Sequence, residues 1–297
     1  VRIVRKAFDV PSLTTEEVQE ILSHYKMADN YAEGSYERRK WEAKAQKIIA
    51  DKVPKTLAEK NKTARRVAML LNPGTWWRNI DGNIIFGAAE MVKNVPAGLA
   101  DMAVSMVTGK RTTSANVAAD VGAYAKGVKR GAQEWWQDIQ SGVDTSHSAV
   151  REEYQTGGKA FSEKHLYGRL YNKADTVVAK ALQLGDRPFY EGAYEQRINE
   201  MKRLGYDVES ENVQAEAKIY ALERVYQNDS KISKALTNVR NELGLFGHFL
   251  IPFTQTPGNL LDKCIDYSGA GGLARALVQI GQAKKTGVFD QKLFVDR

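Results

Sequence analysis

Apolar positions recur at spacings of three and four along most of the chain, and two-residue alternation is scarce. That pattern predicts an all-α fold. The most apolar run is residues 70–109, LLNPGTWWRNIDGNIIFGAAEMVKNVPAGLADMAVSMVTG. After the Asn72-Pro73-Gly74 turn signal, Thr75 is placed to cap a helix whose apolar side follows Trp76, Ile80, Ile84, Ala88, Met91, Val92 and Val95. Pro96 interrupts the pattern, and Leu99, Met102, Ala103, Met106 and Val107 form a second apolar face before Gly109. The expectation is a bent helical hairpin or a kinked helix.

The flanking chain carries clear helix signals. Thr14-Thr15-Glu16-Glu17 reads as a capping box ahead of the stripe Val18, Ile21, Leu22 and Tyr25. Helices are expected over about 36–50 and 57–71, with Pro54 between them. The segment 114–139 has Val117, Val121, Tyr124, Val128, Ala132, Trp135 and Ile139 on one side and a separate small-residue ridge, Ala123, Gly127 and Gly131, suited to close helix approach. Further helices are marked by Leu166 to Leu184, Tyr190 to Leu204, Val213 to Ala221 and Ile232 to Phe246, with a last pair opening at Thr256-Pro257. Gly185-Asp186-Arg187-Pro188 reads as a stop and a new start.

These elements predict a multi-helix, bundle-like assembly with kinked apolar central helices and an elongated outline. Four regions are expected: a basic helical region over 1–66, apolar central helices over 67–140, a turn-rich linker over 141–158 and a helical region over 159–297.

Two readings compete for the central stretch. In the plainer one it is a helix pair buried in the core, as helices apolar on most sides usually are. In the sharper one it seeks a membrane or a partner. Arg78, Asp81, Glu90, Lys93 and Asp101 interrupt it and argue against a conventional span, whereas Trp76, Trp77 and Arg78 suit a headgroup region. The expected membrane or assembly surface comprises Trp76, Trp77, Ile80, Ile84, Ile85, Phe86, Met91, Phe249 and Phe253.

Composition narrows this picture modestly. In 297 residues, 43% apolar and 27% charged, there is enough material for a sizeable core. The net charge is +7, and residues 1–66 hold 15 Lys and Arg against 10 Asp and Glu, so most of the excess lies there. Arg38, Arg39, Lys40, Lys44, Arg65 and Arg66, interleaved with Trp41, are the candidate contacts to nucleic acid or an anionic membrane; the bland reading is a solvated helical surface. Cys264 is the single cysteine, which excludes an internal disulfide, and it reads as a small core residue. Val1 in place of Met points to a processed product or a piece of a longer chain.

Catalytic templates fail on spacing. Gly109-Lys110-Arg111-Thr112 lacks the earlier glycine of a phosphate loop, since position 104 is Val. His24, His147, His165 and His248 are scattered without a metal pattern. Glu191 lies one turn from Arg187 and is expected to pair with it. No enzyme activity, cofactor or small-molecule substrate is expected.

Four stretches, LLNPGTWWRNIDGNIIFGAAE, LGDRPFYEGAY, EAKIYALERVYQND and LIPFTQTPGNLLDKCIDYSGAGGLARAL, carry Asn-Pro-x-Thr, Asp-x-Pro-Phe and Pro-Phe-x-x-Thr-Pro-x-Asn turns in that order. In this the chain, over about residues 65–280, resembles helical modules of very large polyproteins of bacteriophages and integrative elements. The resemblance implies a structural or delivery role as an internal virion or ejection-type protein, held in the virion interior and delivered to the bacterial envelope or cytoplasm. It implies copies of itself or other virion proteins as partners, with DNA or anionic membrane as further contacts. It supplies no catalytic residue. The alternative is a nucleic-acid-binding accessory domain of a mobile-element protein.

Overall fold

A computed structural model describes residues 13–52, 60, 63–64, 67–68, 70–114, 116–146, 159–228, 230–244, 246–247 and 254–295. Most of these residues are helical and no strand occurs among them, so the fold is all-α. In chain order the helices are α1 (Thr15–Ala28), α2 (Tyr36–Lys52), α3 (Pro73–Thr108), α4 (Val117–Ser141), α5 (Leu166–Arg203), α6 (Glu211–Arg224), α7 (Lys231–Glu242), α8 (Gln255–Tyr267), α9 (Gly269–Thr286) and α10 (Gln291–Val295).

The chain forms two compact units, each discontinuous in sequence: 1–81 with 130–188, and 82–129 with 189–297. Both flanks of the expected linker over 141–158 therefore belong to one unit. Residues 147–158 lie outside the described residues, as does much of the helix expected over 57–71.

Several local signals act as expected. Thr14 and Glu17 form the capping box of α1, each side chain accepting from the other's backbone N–H. α3 departs from the expectation in two ways. Its cap is Asn72, whose Oδ1 accepts from the Gly74 N–H at 2.9 Å, and Pro73 takes the first helical position, where its missing N–H costs nothing. It then continues as one helix through Pro96, so no hairpin forms. α5 likewise runs through Pro188, where a stop was expected. A proline removes one helical hydrogen bond, and the long runs of ordinary helix formers on both sides outweigh that loss.

In the first unit, α1 packs on α2, with Ala28 and Ala45 fully buried and Lys52 paired with Glu17 at 2.6 Å. Val178, Ala179 and Leu182 of α5 are buried with Val143. In the second unit, Tyr190 and Ala193 of α5 meet Tyr220 and Ala221 of α6 and Val225, with Tyr124 packed against them. The small-residue ridge does what its spacing suggests: Ala123, Gly127 and Gly131 are all buried. A Cβ at Gly127 would collide with the Glu191 carbonyl oxygen and stand 2.7 Å from the Cα of Gly192.

Candidate assembly surface

In the second unit several charged side chains are buried while a number of large apolar ones are exposed, and α3 shows this most plainly. Asn83, Glu90, Asn94 and Asp101 of α3 are buried. Asp101 reaches 0% exposure, and its carboxylate accepts from the Thr112 hydroxyl (2.5 Å), the backbone N–H of Thr112 and Thr113 (2.9 and 3.2 Å), Arg111 Nε (3.0 Å) and Gln291 Nε2 (2.8 Å). Burial opposes ionisation there, but the donors from Thr112, Gln291 and Thr113 together hold the Asp101 carboxyl below its usual range. Glu90 is paired with Arg224 and Lys93 and accepts from the Tyr267 hydroxyl. Gly109-Lys110-Arg111-Thr112 is thereby a clasp that closes on Asp101.

From Ile84 on, the other side of α3 carries no exposed charge. Every exposed residue from Ile84 to Val107 is apolar: Ile84, Ile85, Ala88, Ala89, Val92, Val95, Pro96, Leu99, Ala100, Met102, Ala103, Met106 and Val107. Val92 is 72% exposed, Leu99 59% and Met106 82%. The core-helix expectation is therefore corrected: α3 turns its polar side inward because five donors wait there for Asp101 alone, and that leaves its apolar side outward.

The α8–α9 pair repeats the arrangement. Arg275 pairs with Asp262 and Asp266 at 2.8 and 2.6 Å, while Leu260, Leu261, Leu273, Leu277 and Val278 are exposed. Cys264 is exposed among them, contrary to the core role expected of it. Tyr267 joins α8 to α3 through Glu90 and through Phe86, whose ring lies 5.7 Å away. The Thr-Pro-Gly-Asn turn opening α8 is a structural clasp. Asn259 Nδ2 donates to the carbonyls of Tyr226 (2.7 Å) and Asn228 (2.6 Å), Thr237 donates to Thr254 (2.8 Å), and a Cβ at Gly258 would stand 2.6 Å from the Cα of Ser233.

Of the remaining expected surface residues, Trp77 is exposed, whereas Trp76, Ile80, Phe86 and Met91 are half-buried, and Trp76 Nε1 donates to the Leu70 carbonyl at 2.6 Å. Phe249 and Phe253 lie outside the described residues.

The candidate phosphate-binding residues are engaged with the protein's own groups. Arg39 turns inward to Glu134 (2.9 Å) and the Thr145 carbonyl (3.1 Å). Arg38 pairs with Asp29 and Glu42, Lys40 with Glu37, and Lys44 sits 4.0 Å over the Trp41 ring. Arg65 and Arg66 lie outside the described residues. Beneath Arg39, in the same unit, Arg187 donates to Glu134 (2.6 Å), Asp138 (2.5 Å) and the Thr145 hydroxyl (2.8 Å), two carboxylates that lie far from it in sequence. Burial opposes the charge on Glu134, and Arg39 and Arg187 more than offset that, keeping its carboxyl below the usual range.

Among the described residues no cluster of His, Cys, Asp and Glu could hold a metal ion, and no helix is long and apolar enough to cross a membrane. Comparison with protein-family models, curated proteins and solved structures finds no match.

Proposed function

We propose that the chain is a non-enzymatic structural module of a phage internal virion protein of the ejection type, which assembles with copies of itself or with other virion proteins and associates with membrane during delivery. The observation that carries this reading is the outer side of α3 from Ile84 to Val107, where every exposed residue is apolar. A typical monomer exposes a largest apolar patch of ~300–600 Å², and larger ones mark interaction sites. The ordered Asn-Pro-x-Thr, Asp-x-Pro-Phe and Pro-Phe-x-x-Thr-Pro-x-Asn turns support the class of protein. The bend expected at Pro96 and an elongated assembled bundle belong to this reading.

Two measurements on the full chain in detergent-free buffer test it: sedimentation, and co-flotation with neutral phosphatidylcholine vesicles at about 1 M salt, where surface charge is screened. A self-associated species, or flotation, is expected. A chain that sediments as a monomer and stays at the bottom of the gradient would overturn the proposal.

A further inference from the structure

The outer side of α3 is more ordered than a generally greasy surface. Ile85, Val92, Leu99 and Met106 fall on one heptad position, and Ala88, Val95 and Met102 fall three residues after each of the first three, an unbroken three-four spacing. All seven are exposed. The opposite heptad positions carry Glu90, Asn94, Ala97 and Asp101, all buried in the unit. Apolar residues at this spacing pack as knobs into the holes of a facing helix. A lipid surface needs no such register.

Resting on the assembly reading above, we infer that this seam pairs with the same seam of a second copy of the chain. Residues bordering the seam decide for a copy of itself. Ile84, Ala89, Pro96 and Ala103 are exposed and uncharged, so from Ile84 to Val107 identical copies bring no like charges together, and the small residues among them let two backbones approach. The thirteen exposed apolar residues of α3 from Ile84 to Val107 supply a large part of the ~800 Å² per partner that a standard interface buries. A two-fold axis through the seam buries both copies' faces at once and closes the assembly.

Sedimentation of the full chain compares wild type with Val92→Asp/Leu99→Asp. Both side chains are exposed, so the helix content read by circular dichroism stays unchanged, while the dissociation constant rises at least about 100-fold. A second variant keeps the test independent of that pair: in a Cys264→Ser background, Val95→Cys lies midway along the seam and cross-links to its own copy on oxidation, in parallel or antiparallel pairing alike. Ala125→Cys, exposed on α4 away from the seam, stays uncrosslinked. An oligomer that survives Val92→Asp/Leu99→Asp, or Val95→Cys that cross-links no better than Ala125→Cys, would overturn the inference. A monomer that floats with neutral vesicles would also overturn it and leave the assembly and delivery reading standing; a monomer that does not float would remove both.

Discussion

Asp101 is held by five donors, and its charge is what orients α3. A carboxyl whose value is depressed in the fold contributes stability that is fully present above its unfolded value, near 3.8, and that is lost as pH falls through the lower folded value. Asp101→Asn is therefore expected to cost on the order of 1–3 kcal/mol at neutral pH, because an amide NH2 then faces the Thr112 and Thr113 donors that the carboxylate satisfies. It should also flatten the acid limb of a plot of urea midpoint against pH. A second residue-scale prediction concerns Gly127, where any Cβ meets the backbone of Glu191 and Gly192 and nothing flexible can yield. Gly127→Ala should destabilise by about 2 kcal/mol, read as a lowered urea midpoint. Gly122→Ala on the same helix, with nothing within 4 Å, should not.

At the scale of elements, α3 joins two features that local reasoning treats as incompatible, a central proline and an uninterrupted helix. Pro96 is exposed, so Pro96→Ala changes no buried packing and restores a backbone donor. The regained helical preference is about 3 kcal/mol, less about 1 for the freer unfolded chain, and the thermal midpoint should rise. A midpoint that falls would mean that the Pro96 ring itself makes contacts that stabilise the fold. The same helix shows what the sequence made legible. The three-four period, the Thr14 capping box and the Ala123-Gly127-Gly131 ridge rest on neighbours within a few residues, and each was readable. The direction in which α3 faces was not, because it is set by partners far away in sequence: Gln291 and Arg111 for Asp101, Arg224 for Glu90. The additional partners of Arg187 were hidden for the same reason, since the nearby Glu191 was visible whereas Glu134 and Asp138 lie about fifty residues upstream. Periodicity fixes that a helix has two sides and is silent on which one the fold keeps.

Across the whole molecule, the net charge of +7 invites an electrostatic reading, yet Arg38, Arg39, Lys40 and Lys44 of the basic N-terminal region are matched by carboxylates, a carbonyl or an aromatic ring. Apolar side chains are also exposed: beyond α3, those of Tyr167, Leu170, Leu261, Leu273 and Leu277. The two forces respond oppositely to solvent. Contacts made by Lys and Arg with phosphates weaken steeply as salt rises, through counterion release. Burial of apolar surface is indifferent to simple salt, strengthened by sulfate and weakened by cooling. Self-association followed by sedimentation should therefore hold from about 0.1 to 1 M sodium chloride, a range over which the screening length falls from about 10 to 3 Å; it should tighten in sulfate and loosen near the freezing point. Association that dissolves in salt and is indifferent to temperature would place the driving force in the charges and return the basic N-terminal region to the centre of the function.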